Sequence, residues 1–251
     1  MMIIFFNRAQ TQDLLIGEKD FFFFRLNPMD LKARRCVTIS DYIDKCKNAA
    51  TDFSAIQREL VRSMLREEKK IQEKLDASRN PGCDWIDLSL FMALPWKLAC
   101  VKGKEYEDGL PHTRNDVIIL PENHLQEEDP DLLDTLLHEQ LHVYQKTYPA
   151  HFKNAYLDRH NWTLLEKVST INNIRTNPDM DEWIYQKNGN VYRSFYNSTN
   201  PSGLLDVSFQ PQNYHRYEHP NELSICDCLE ITREIPSSSS SSSPPTKNKI
   251  T

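Results

Sequence analysis

The sequence predicts an α+β fold, with a small mixed sheet leading into a long, apolar-striped helix and further helices around it. Three observations predict it. Apolar residues recur at mostly three- and four-residue spacings between positions 53 and 75, as on one face of a helix. Two short runs, "WKLACVKG" and "DVIILP", are apolar and β-branched and read as strands. The segment "DPDLLDTLLHEQLHVYQ" opens with helix-start signals and continues with leucines at helical spacing.

A chain of 251 residues can bury a sizeable core, and we read one continuous fold in three regions. Residues 1–80 form a strand and helix region packing on the core, and residues 81–235 form the core itself. Residues 236–251, "PSSSSSSSPPTKNKIT", offer almost nothing to bury and read as a disordered tail. With 39% hydrophobic and 26% charged residues, the bulk resembles ordinary soluble proteins. A net charge of -6 argues against affinity built on neutralising phosphates, so no nucleic-acid partner is expected. The start, "MMIIFFNRAQ", lacks a preceding positive charge and a cleavage site, and no run approaches the roughly 20 apolar residues of a membrane span. The expectation is a cytoplasmic protein with no membrane contact. The six cysteines are expected as reduced thiols. Cys226 and Cys228 do not share a helix face, and no second close pair completes a four-thiolate site.

Taken in order, the first 35 residues alternate apolar clusters with charged turns, and "FFFFRL" reads as a buried strand or a short helix. Ser40 is positioned to cap "DYIDKCKNAA". A long helix then carries Phe53, Ile56, Leu60, Met64, Ile71 and Leu75, with residues 66–70 as its solvated face. The Asn-Pro-Gly of "SRNPGCDW" breaks it and marks a boundary. The two strands follow, joined by polar "KEYEDGLPHTRN", where His112 reads as an exposed loop residue. Asp129 caps the next helix, with Pro130 first and Asp131 and Asp134 favourable to its dipole. Pro149 ends or bends it, and "AHFKNAYLDRHNWTLLEKV" supplies another helical stretch. "NGNVYRSFYN" reads as strands around a turn, and "HPNELSICDCLEITREI" as a final helix with Pro220 early in it.

His138 and His142 stand one turn apart on the same helix face, so both imidazoles can reach one ion. Glu139 sits about 100° further round, able to approach an open position on that ion without being a ligand. That is the placement a general base needs beside water made acidic by a metal. Leu133, Leu136, Leu137, Leu141 and Tyr144 form the stripe that would hold this helix in a core.

"TLLHEQLHVYQ" resembles the active-site helix of the zincin metallopeptidases, and "GLPHTRNDVIIL" resembles the strand that precedes that helix and lines the cleft. The resemblance implies a zincin-like core binding one zinc ion through His138 and His142. It also implies peptide-bond hydrolysis by metal-activated water with Glu139 as general base, and a peptide or protein substrate lying along residues 116–120. Gln145 and Tyr148 stand where a metzincin needs glycine and histidine, which excludes that branch. The gluzincin branch uses a downstream glutamate, and "HPNELSICD" resembles it. Glu222 is then the third ligand, with Glu166 in "NWTLLEKV", His151 and His160 as competitors. The acid four residues after the gluzincin ligand is missing, since Cys226 stands there and Asp227 is one place off. Tyr217 and His219, ahead of Tyr214 and His215, are the candidates to stabilise the oxyanion. The serine run and scarce glycine also resemble HExxH proteins of large DNA viruses and protists, which implies nothing about substrate. Two rival readings are a non-catalytic metal-binding or interaction protein on the same scaffold, and a protease acting on protein crosslinked to DNA. The acidic charge counts against the latter.

Overall fold

In a computed structural model of the chain, β3 (Trp96–Val101) is the centre of a five-stranded mixed sheet. The structure describes residues 1–17, 21–76, 81–126, 129–167, 174–179, 183–188, 190–192, 194–209 and 212–213. One flank of β3 takes β1 (Ile3–Phe5) in parallel and the short β2 (Ala50–Thr51) antiparallel at its far end. The other takes β5 (Val117–Pro121) in parallel, and β5 pairs antiparallel with the edge strand β4 (His112–Arg114). The sheet therefore draws strands from both sides of residue 80.

Strands buried on both faces read as unbroken apolar runs, which is why "WKLACV" and "VIILP" carry no polar alternation. Their side chains nonetheless sort by parity. Leu98, Cys100, Ile118 and Leu120 face one layer, and Ala99, Val101, Val117 and Ile119 face the other. The second layer holds α1 (Arg8–Ile16), α2 (Phe22–Arg25), α3 (Pro28–Ala33) and α4 (Ile39–Ala49), with Leu15, Phe22, Phe23, Tyr42, Cys46 and Ala49 in its core. "FFFFRL" is thus a short helix. Thr38, not Ser40, caps α4: its hydroxyl accepts from the Asp41 N–H while Asp41 reaches back, so both end groups are satisfied.

The first layer holds α5 (Ala55–Arg66), α6 (Glu68–Leu75), α7 (Leu88–Ala93) and α8 (Leu132–Thr147). The long helix expected over 53–75 is two helices. Glu67 leaves helical geometry at ψ 56 and separates them. Ser54 caps α5, so Phe53 lies ahead of it. Val61 and Leu65 take the inward positions, leaving Ile56 67% exposed. The charged residues 66–70 are solvent-exposed as expected.

α8 begins two residues later than the sequence suggests. Asp129 Oδ1 accepts from the Asp131 N–H and so closes the preceding turn, while Asp131 occupies the cap position without a side-chain bond. Ten of the sixteen α8 residues are buried. Tyr144 fixes the helix, because its hydroxyl accepts from the Asp87 N–H at 2.9 Å and its ring packs on Trp85 and Phe91.

Pro149 ends α8 and opens α9 (Pro149–Phe152), followed by a turn over Lys153–Leu157. The helix expected through "NWTLLEKV" stops there. Asn161 sits at φ 59 and turns the chain into β6 (Trp162–Lys167), which carries Glu166 and pairs antiparallel with β7 (Trp183–Lys187). β8 (Asn190–Tyr192) and β11 (Gln212–Asn213) complete that second sheet, and β9 (Ser194–Tyr196) pairs with β10 (Val207–Phe209). The final helix and the tail expected after residue 213 lie outside the described residues. Among those described, no helix is long and apolar enough to cross a membrane. Cys36, Cys46, Cys83 and Cys100 are free thiols.

Candidate metal centre

α8 delivers three of the expected residues to one place. His138 and His142 turn their rings toward each other, with Nε2 atoms 3.3 Å apart. Two nitrogens bound at zinc distances to one tetrahedral ion stand about 3.3–3.4 Å apart, so this spacing fits a shared cation. His142 Nδ1 donates to Gln145 Oε1 at 3.2 Å, which fixes the tautomer whose Nε2 carries no proton. Burial, chiefly, pushes the His142 pKa down to about 3, so the ring is neutral, as a metal ligand must be.

A second carboxylate comes from Asp179, in "TNPDM". Ligand atoms of Glu139, His142 and Asp179 lie within 4.8 Å of one another, and all three residues are buried. Asp179 is aimed by the edge strand: Thr113 donates to its Oδ1 through the backbone N–H at 2.5 Å and the hydroxyl at 3.1 Å. Lys146, one turn beyond His142, donates to the same Thr113 hydroxyl oxygen at 2.6 Å.

The two carboxylates are pushed apart in acidity. Burial and the neighbouring Asp179 charge hold Glu139 well above the ordinary carboxyl range. Burial also opposes ionisation of Asp179, but His142, Lys146, His112 and the Thr113 N–H outweigh it and hold Asp179 below its usual value. Glu139 Oε2 is buried with no hydrogen-bond partner among the described residues. An orphaned carboxylate oxygen, an ionised acid and two inward imidazole nitrogens form a donor set suited to a divalent cation. Glu139, His142 and Asp179 could together hold such an ion, with the His138 ring beside His142.

The remaining candidates divide. Glu222, Tyr217, His219, Tyr214, His215, Cys226 and Asp227 lie outside the described residues. Glu166 sits on a strand. His151 donates Nε2 to the Trp85 carbonyl and packs on Tyr144, while His160 packs on Tyr156. His112 is only 2% exposed: Nδ1 donates to the Leu110 carbonyl, and Nε2 accepts from the Tyr106 hydroxyl. The expected substrate strand, 116–120, is interior, since β5 already pairs on both sides. The sheet edge beside α8 is β4. Sequence reasoning missed Asp179, Thr113 and Lys146. The only local signal for Asp179 is its place after Pro178 in a polar turn.

Comparison of the chain with protein-family models, curated proteins and solved structures finds no match.

Proposed function

We propose that the protein is a zinc-dependent metallopeptidase of the zincin type, with His138, His142 and Asp179 holding one zinc ion and Glu139 acting as general base. The observation that carries this reading is the buried cluster of Glu139, His142 and Asp179, with the His138 Nε2 atom 3.3 Å from that of His142. Zinc in such a site lowers the pKa of water and polarises a carbonyl.

The chain's own groups supply the rest. Glu139, raised in pKa by burial and by Asp179, suits a group that takes a proton and then returns it to a leaving amine. Gln145 fixes the tautomer of His142. Lys146 and Thr113 hold Asp179 in its ionised form. The buried apolar stripe of α8 keeps these groups fixed to the sheet.

Metal analysis with the Glu139→Gln variant tests the proposal. The wild type is expected to carry about one zinc per chain and to cleave members of a peptide library; the variant should keep the zinc and lose cleavage. Retained hydrolysis in the variant overturns the mechanism, and absence of zinc from the wild type overturns the whole reading.

One observation favours a second reading, a metal-holding protein without turnover. β4 is three residues long, and Thr113 gives its N–H to Asp179, which removes a backbone donor that an extended peptide would use on this edge. Zinc without cleavage of any library peptide favours this reading.

A further inference from the structure

A buried ion-paired network stands apart from the metal cluster, and nothing proposed above uses it. Arg34, 2% exposed, engages all five guanidinium N–H groups. Nε donates to Glu107 Oε1 at 2.7 Å, and Nη1 donates to the Asp30 carbonyl at 3.3 Å and to Asp30 Oδ1 at 3.2 Å. Nη2 donates to Glu107 Oε2 at 2.8 Å and to the Thr176 carbonyl at 3.0 Å. The hydroxyls of Tyr42 and Tyr196 add bonds to Glu107 and Asp30.

The chain bends to build this network. Glu107 and Asp108 both lie in the left-handed region, at φ 46 and 52, where a side chain is strained. The same layer grips residues 174–176 at three more points. Asp30 Oδ1 accepts the Thr176 N–H at 2.9 Å, Asn27 Nδ2 donates to the Ile174 carbonyl at 2.5 Å, and the Thr176 hydroxyl donates to the Arg25 carbonyl at 3.0 Å. These anchors end three residues before Asp179.

We propose that Arg34, Asp30 and Glu107 are positioning residues for Asp179, fixing residues 174–176 so that its carboxylate stands beside His142 and Glu139 before a cation arrives. The inference rests on the zinc reading above. Lysine cannot substitute for Arg34, because one ammonium cannot reach Glu107, Asp30 and the Thr176 carbonyl together. Losing preorganisation should weaken cation binding even where the fold survives.

The test compares Arg34→Lys and the milder Tyr196→Phe, which removes one bond to Asp30, with Val61→Ala in the core of α5. Three quantities are read: zinc affinity by competition with a chromogenic chelator, amide exchange of residues 174–179 in metal-free protein, and the unfolding midpoint in chelator. Arg34→Lys should weaken zinc about tenfold or more, and Tyr196→Phe by a few-fold, on the scale of lost supporting contacts around a metal site. Both should speed exchange over 174–179 and leave α8 unchanged. Val61→Ala should lower the midpoint without altering zinc affinity. Zinc binding by Arg34→Lys within about threefold of wild type overturns the proposal, as does a loss in Val61→Ala matching its drop in stability. Should Arg34→Lys not fold, Tyr196→Phe decides: unchanged zinc affinity together with unchanged exchange over 174–179 overturns the proposal. A wild type that binds no zinc overturns the metal reading and this one with it, an outcome distinct from zinc that Arg34→Lys leaves undisturbed.

Discussion

Replacing Asp179 with asparagine separates its charge from its shape. The Thr113 N–H and hydroxyl both donate to Oδ1, and an asparagine oxygen can keep both bonds, so the segment should hold its place. What disappears is one negative charge in a buried cluster. A unit charge about 4 Å from another, at an effective dielectric near 20, is worth about 4 kcal/mol, and a divalent ion about doubles that. Relief of the repulsion between Asp179 and Glu139 returns part of it, because Glu139 then ionises more readily. Even half of the unit-charge figure, about 2 kcal/mol, is more than a tenfold loss, and the full figure is nearly a thousandfold. Zinc affinity of Asp179→Asn, measured by chelator competition, is therefore expected to fall between about tenfold and a thousandfold, with the metal-free unfolding midpoint little changed. Glu222→Gln, made in parallel, tests the ligand suggested by "HPNE". If Asp179→Asn binds zinc as tightly as wild type while Glu222→Gln does not, the reasoning that places Asp179 on the metal is refuted.

Other outcomes follow from the same contacts. Gln145→Ala frees Nδ1 of His142 and should cost about 10- to 100-fold in zinc affinity by chelator competition; a change under twofold would mean the Gln145 bond is incidental. Burial alone would raise the Glu107 carboxyl, but the Arg34 charge and hydrogen bonds, with His112 and Tyr42, hold it below its ordinary 4.5. Its stabilising contribution is therefore complete above about pH 4.5 and lost as pH falls through the lowered value. Thermal unfolding in chelator should show that acid-side loss, and Glu107→Gln should flatten it. Cys46 and Cys100 are pushed up to about 12, chiefly by burial. Neither should react with iodoacetamide in the native protein near neutral pH, and labelling of either in folded protein would contradict their placement.

What could be read from sequence was what local spacing encodes. β3 and β5 announce themselves because strands covered on both faces need continuous apolar side chains, and α8 because its leucines and histidines repeat at the helical period. β4 is hidden for the opposite reason: "HTR" is wholly polar yet wholly buried. Two of its side chains bond to groups far away in sequence, Thr113 to Asp179 and Arg114 to the Leu15 and Gly17 carbonyls, with the Arg114 guanidinium 4.6 Å from the Phe22 ring centroid. Asp179 has no periodic signature, since its role comes from a contact with Thr113 made 66 residues away in sequence. Gln145, which served in the sequence only to exclude a metzincin, supports His142 in the fold.

The strongest argument that α8 is a functional helix is what it buries at a loss. Glu139, Gln140, His142 and Gln145 are all at most 4% exposed, and Glu139 Oε2, Gln140 Oε1 and Gln145 Nε2 lack hydrogen-bond partners among the described residues. Each such atom costs about 1–3 kcal/mol in a folded protein, so this single helix carries several kcal/mol of uncompensated polarity. The leucines at 132, 136, 137 and 141 offset it: each is 7% exposed or less, and full burial of a leucine contributes about 1.5–3 kcal/mol. A helix needed only to cover the sheet would gain by replacing Glu139 with an apolar residue. Keeping a buried acid beside an ionised aspartate and two converging imidazoles is unfavourable in the empty site and favourable once a divalent cation is bound. Glu139→Leu should therefore raise the unfolding midpoint of metal-free protein while abolishing hydrolysis. A lowered midpoint would mean that Glu139 is instead part of what holds the helix in place.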